Sequence, residues 1–347
     1  MNETINLIPV LKDQLITVFL LGILSLIIAT ILTPIYTWFA YRFKWWKKQR
    51  DTTITGEIAH IFHKLHAAKH ALNIPTMAGV IAVITISLVT FLFNWDRGQT
   101  WLPIAAMVGA ALVGLLDDII NLKAIGGIAG LKAKFKFMLV LFIGLAGGLY
   151  SYIKLGYSTL DIPFVQGNLD VGWLFVLVFV FVVLATANAV NMTDGLDGLA
   201  GGLLTTVFST YAIIAFLQGN YGIAGFCLTA AGALISYTWF NIFPARFFMG
   251  DVGSFAFGAS LGVVAMLTDT VLLLPVIAIV FVAETGSVII QIFSKKVFGR
   301  KVFISAPIHH HFEAIGWPET KVTMRFWLIG QIAALVGLAI AIYGGQL

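Results

Sequence analysis

Read from its N-terminus, the chain alternates long apolar runs with brief polar interruptions. Ten runs stand out: Leu15–Tyr41, Thr76–Phe93, Trp101–Leu116, Phe137–Tyr152, Trp173–Val190, Ala200–Leu217, Tyr221–Asn241, Ser254–Thr268, Val271–Ser294 and Phe326–Tyr343. A hydrocarbon core about 30 Å thick takes about 20 apolar residues in helical form to cross. The shortest runs must borrow flanking residues or lie where the bilayer is thin. No barrel-like alternation is present, so the backbone has to satisfy itself within helices. The pattern predicts an all-α, polytopic integral membrane protein with about ten transmembrane helices. Residues 1–347 read as one transmembrane domain, because no repeat, low-complexity stretch or linker marks a second. The first run is longer than a signal-peptide core and no cleavage site frames it, so it is expected to be retained.

Charge placement gives these helices a direction. Of the 21 Lys and Arg, all but Lys12, Arg97 and Lys154 fall on one set of connections. By the positive-inside rule that face is cytoplasmic and both termini lie outside. The net charge of +5 is therefore a topology signal with a lipid bilayer as its partner, and no nucleic-acid partner is expected. Composition agrees: 59% of residues are hydrophobic and 11% charged, against about 25% charged in soluble domains. A soluble enzyme and a disordered chain are both excluded. The single cysteine, Cys227, forbids an internal disulfide. Abundant glycine gives GxxxG-like faces on which a homodimer can form. The outer connections are mostly short, so function is expected at the longer inner loops.

Six carboxylates follow or sit within apolar sequence at the inner helix ends: Asp117, Asp118, Asp194, Asp197, Asp251 and Glu284. An ionised carboxylate near hydrocarbon costs several kcal/mol unless it is paired, bound to metal or used chemically. The others fall in loops or at outer ends, where solvated charge suffices to explain them. Asp117 and Asp118 are adjacent and repel unless a cation lies nearby, and a hard divalent cation such as Mg²⁺ relieves that repulsion while also binding phosphate. The stretch Asn188-Ala-Val-Asn191-Met-Thr-Asp194-Gly195-Leu196-Asp197-Gly198 places polar groups and glycines where a ligand's backbone contacts would lie. Asn241 to Ser254 repeats that character, with Phe248 able to stack on a planar base. Asp251 there reads either as a helix cap or as one of the costly acids that pair, bind metal or do chemistry. Three consecutive histidines, His309, His310 and His311, converge poorly on one zinc, so contacts to phosphate or sugar hydroxyls are the better reading.

These motifs together, NAVNMTDGLDGLA, FMGDVGS, the Asp-Asp pair and above all APIHHHFE, resemble the phospho-N-acetylmuramoyl-pentapeptide transferase family. It belongs to the wider polyprenyl-phosphate N-acetylhexosamine-1-phosphate transferases. The resemblance runs the length of the chain. It implies transfer of phospho-MurNAc-pentapeptide from UDP-MurNAc-pentapeptide to undecaprenyl phosphate, giving lipid I and UMP for peptidoglycan synthesis. It also implies Mg²⁺ as cofactor and the cell inner membrane as location. Matched by position, Asp117 and Asp118 are catalytic and Asp251 is catalytic and the Mg²⁺ ligand. Lys69, Thr76, Lys136, Asn188, Asn191, Asp194, Gly195, Leu196, Asp197, Asn241, Phe248, Glu284 and His309 to His311 take substrate-binding positions.

Two departures remove cations from the family pattern. The lysine ahead of Pro75-Thr76 is displaced to Lys69, and the usual Asp-Asp-Tyr-x-Lys reads Asp117-Asp-Ile-Ile-Asn121, with Lys123 the nearest replacement. A sister transferase using UDP-GlcNAc or another UDP-hexosamine is the alternative, opposed by the three-histidine loop. A secondary transporter is a more remote one, since transport calls for mid-span acids and repeat symmetry.

Overall fold

The computed structural model describes residues 2–46, 73–123 and 130–347, and Lys69 lies outside them. Helices account for nearly all of the described chain: α1 Asn2–Arg42, α2 Gly79–Phe93, α3 Trp101–Lys123, α4 Ala133–Lys154, α5 Leu174–Thr193, α6 Leu199–Leu217, α7 Tyr221–Asn241, α8 Gly250–Leu267, α9 Leu274–Ile277, α10 Ile279–Phe298, α11 Ile308–Ala314 and α12 Glu319–Tyr343. A two-residue antiparallel pair, Thr159–Leu160 with Leu169–Asp170, is the only sheet among the described residues. Eight of these helices are long and apolar enough to cross a membrane, with the 15-residue α2 beside them. The protein is a multi-pass, all-α membrane protein.

Helix α8 is the axis. Nearly all of its side chains are buried, and it packs against α3 and α5. Close packing comes from small residues: a Cβ at Gly114 of α3 would land on the Asp251 carbonyl. The two helices therefore touch backbone to backbone where their carboxylates meet. Helices α1, α2 and α6 enclose α7, while α4 flanks α5 and α12 flanks α6. Large apolar side chains on the outside, among them Phe142, Phe181, Trp239 and Tyr343, have lipid as their natural solvent.

Two expected spans differ in the structure. Val271–Ser294 is not one helix: Pro275 opens the short α9, and the chain turns at Ala278 before α10 begins. Helix α10 is inside out relative to a soluble helix. Glu284, Ser287, Gln291 and Ser294 are buried on one face, and Ile289, Ile292, Phe293 and Val297 are exposed on the other. The polar face grips the next loop, Gln291 Oε1 accepting the Val302 and Phe303 N–H groups at 3.0 Å. The second expected span also begins later, at Gly79. Its first residues stay outside the helix because they pair with the loop ahead of α8: Phe248 N–H donates to Pro75 at 2.8 Å and Ala78 N–H donates to Phe248 at 3.0 Å.

Candidate active site

Four helix ends bring the predicted residues together. Asp117 and Asp118 close α3, Lys136 opens α4, Asn191 closes α5 and Asp251 opens α8. Lys136 Nζ lies 2.5 Å from Asp251 Oδ2 and 3.1 Å from Asp117 Oδ2, and 5.0 Å from the centre of the Phe255 ring. Asp117 is held on both oxygens: Leu131 N–H donates to Oδ1 at 2.7 Å, and Asn121 Nδ2 donates to Oδ2 at 3.1 Å. Asn121 stands one turn beyond Asp117, so the departure from the family's lysine puts a neutral donor on this carboxylate. Lys123 is exposed.

Asp118 is fully buried, and its Oδ2 accepts the Val252 N–H at 3.0 Å. It thereby caps the N-terminus of α8 from a neighbouring helix, where no side chain of α8's own N-cap does so. Such a carboxylate satisfies an orphan amide and meets the positive end of the helix dipole. Asp251 is therefore not the cap. Its carboxylate turns to Lys136 and accepts from Asn191 Nδ2 at 3.2 Å, while the same Asn191 amide donates to Ser254 Oγ at 2.9 Å.

One ligand oxygen from each of Asp117, Asp118 and Asp251 lies within 4.8 Å of the others, the only such group among the described residues. Three hard oxygen donors on packed helices suit Mg²⁺, which takes few carboxylates and keeps its other positions for water and phosphate. The three histidines do not form a second centre. His309 Nδ1 is 2.9 Å from Glu284 Oε2, with both side chains buried; His310 Nδ1 is 2.7 Å from Glu313 Oε2; and His311 Nδ1 accepts the Ile304 N–H at 3.2 Å. His309 Nε2 and Glu284 Oε1 are buried with no hydrogen-bond partner among the described residues.

The turn after α5 connects these groups. Asn191 meets Asp251, and Gly195 lies so close under the His309 ring that a Cβ there would overlap it. Asp194 is half-buried and Leu196 is buried. Asp197 and Asn241, both buried, hold the turn to the loop after α7. Asp197 Oδ2 accepts the Ala245 N–H at 3.0 Å, Asn241 Oδ1 accepts the Gly198 N–H at 3.0 Å, and Asn241 Nδ2 donates to Phe247 at 2.8 Å. Phe248 is half-buried beside them. Asn188 sits one turn up α5, its amide donating back to Leu184 at 2.7 Å. Thr76 is buried behind the site, its carbonyl accepting from Tyr36 and its N–H donating to Trp45 at 2.7 Å. Ser254 and Glu319 also belong here. Ser254 had a signal in its position three residues beyond Asp251, but Glu319, read as a solvated loop charge, had none.

Comparison with known proteins identifies the family. A family model described as glycosyl transferase family 4 matches residues 100–269. The phospho-N-acetylmuramoyl-pentapeptide-transferase of Chloroflexus aurantiacus is 41% identical over 286 residues, 78% of each chain. That of Geobacillus sp. (strain WCH70) is 37% identical over 326 residues, 92% of this chain and 97% of its own. That of Listeria monocytogenes serotype 4b is 37% identical over 325 residues, 92% and 96% of the two chains. With such identity along nearly the whole chain, the protein belongs to the phospho-N-acetylmuramoyl-pentapeptide-transferase family.

Proposed function

We propose that the protein transfers phospho-MurNAc-pentapeptide from UDP-MurNAc-pentapeptide to undecaprenyl phosphate. Lipid I and UMP result, at the cytoplasmic face of the inner membrane, in peptidoglycan synthesis. The observation that carries this reading is the meeting of Asp117, Asp118, Asp251 and Lys136 at one end of the bundle. One reactant is lipid-embedded and the other a cytosolic pyrophosphate, so the chemistry belongs at the membrane edge. The orientation with both termini outside belongs to the same reading.

Phosphoryl transfer asks a protein for charge neutralisation and in-line placement more than for covalent chemistry. Asp251, with Asp117 and Asp118, would hold Mg²⁺, which when bound neutralises the pyrophosphate and the leaving UMP. Lys136 holds the two anionic substrates against their repulsion. Asp117 orients the attacking lipid phosphate or takes its proton. Leu131, Asn121 and Lys136 hold its carboxylate in place, and the lipid phosphate attacks the sugar-proximal phosphate directly. Asp194 and Phe248 face the nucleotide-sugar.

The test is release of UMP from UDP-MurNAc-pentapeptide with Mg²⁺ and undecaprenyl phosphate each present or omitted. Release only with both is expected. Equal release without the lipid phosphate would remove it as acceptor, and turnover of UDP-GlcNAc in its place would favour the sister transferases. A phospho-enzyme trapped by rapid-quench labelling would contradict direct attack.

A further inference from the structure

One face of α12 is committed to the turn after α5. Glu319, Thr323 and Trp327 stand at successive four-residue steps and so line up on that face. Glu319 Oε1 accepts the Asp197 N–H at 2.6 Å, Thr323 Oγ1 donates to the Asp197 carbonyl at 3.2 Å and Trp327 Nε1 donates to the Gly198 carbonyl at 3.1 Å. Three of the four backbone polar groups of Asp197 and Gly198 are thus met by side chains of α12, and the fourth, the Gly198 N–H, by Asn241. Gly198 has φ +76°, and the Trp327 ring lies against it and against Gly202. Asp197 and Asn241 hold the same two residues from the other side. Glycine takes this left-handed backbone without steric cost, so it is the surrounding side chains that hold the turn in one conformation. Asp194 stands just ahead in the chain, and Asn191, in contact with Asp251, precedes it.

We propose that Glu319, supported by Thr323 and Trp327, is a positioning residue for the nucleotide-sugar. It sets the backbone of residues 194–198 without touching substrate itself. The inference rests on the proposed function, in which this turn faces the UDP donor. A carboxylate at the first turn of α12 accepts an amide proton in a charge-assisted bond, and a glutamine keeps an oxygen in the same place.

The test uses the full-length protein in detergent and compares wild type with Glu319→Ala, Glu319→Gln and Thr323→Val. Glu319→Ala is expected to raise KM for UDP-MurNAc-pentapeptide about tenfold, as loss of one such bond implies, with KM for undecaprenyl phosphate unchanged. Glu319→Gln recovers most of that loss, and Thr323→Val moves the donor KM in the same direction by less. A loss of thermal stability with both KM values rising together would overturn the proposal. Thr323→Val carries the comparison should Glu319→Ala fail to fold. Amide exchange over residues 194–198 reads the ladder with no substrate present. Faster exchange in Glu319→Ala is expected, and unchanged exchange would overturn it. A wild-type protein that does not turn over this donor would refute the functional reading instead, leaving the exchange result to judge the ladder.

Discussion

At the end of the bundle reached by the 94–100, 155–173, 218–220 and 268–273 connections, polar side chains bond mainly to backbone. Gln218 Nε2 donates to the carbonyls of Thr268 and Gln346, both at 2.8 Å. Asn94 donates to Gly222 at 2.8 Å, and Gln99 Oε1 accepts the Gly222 N–H at 2.8 Å. Asp269 accepts the Asp161 N–H at 3.0 Å. These bonds tie loops and the C-terminal residues into a hydrogen-bonded seal. At the opposite end, three carboxylates crowd together, Lys136 meets two of them, and backbone amides from α8 and the 130–131 segment are aimed at Asp118 and Asp117. The first arrangement leaves little to offer a ligand. The second gathers three carboxylates, two of them on one lysine, an arrangement suited to binding a cation or to chemistry.

Substitutions at the two ends should therefore separate activity from stability. The largest effect is expected of Asp251→Asn, which should lower turnover about a thousandfold, the scale of losing a preorganised electrostatic group, with folding intact by circular dichroism. Lys136→Met should lower turnover about a hundredfold by the same reasoning. It should also enlarge the rise in melting temperature produced by Mg²⁺, because the acids lose their internal counter-ion. Gly114→Val forces α3 from α8 and should cost about 1–3 kcal/mol of stability, read as a lower melting temperature together with weaker activity. Gln218→Ala at the sealed end should cost about 1–2 kcal/mol for two hydrogen bonds and leave KM and kcat unchanged.

The smallest effect is a pH dependence. Burial, the main cause, raises the Asp269 carboxyl from 3.8 to about 6. Between those values the folded protein keeps a proton that the unfolded chain releases. The contribution to stability is full below the unfolded value and is lost as pH rises through the folded one. Asp269→Asn keeps the oxygen that accepts from Asp161, so its melting temperature should gain on wild type as pH rises from 4 to 6. Parallel curves would show that this carboxyl is not held protonated.

The membrane class was legible in the length of the apolar runs, and the gathering of the acids in their shared level along the chain. Pro275 escaped notice within an apolar run, so the break before α10 and the inward polar face it carries were not foreseen. Asp118 reads as one of an equivalent pair, yet burial makes it the cap of another helix, a relation between elements 134 residues apart. Spacing identified Asp197 and Asn241 as polar residues beside the site; only the packed loops reveal that their side chains hold backbone. Glu319 shows the same limit from the other side, since a lone acid after Pro318 gives no sign of the amide it meets.

The proposed function turns on carboxylates of α3 and α8 together holding a divalent cation. Mn²⁺ as a spectroscopic substitute for Mg²⁺ tests it directly, by electron paramagnetic resonance titration of the purified wild type, Asp117→Asn and Asp251→Asn. One tight site that competes with Mg²⁺ is expected in the wild type, lost in Asp251→Asn and weakened in Asp117→Asn. Equal occupancy in all three proteins would contradict it.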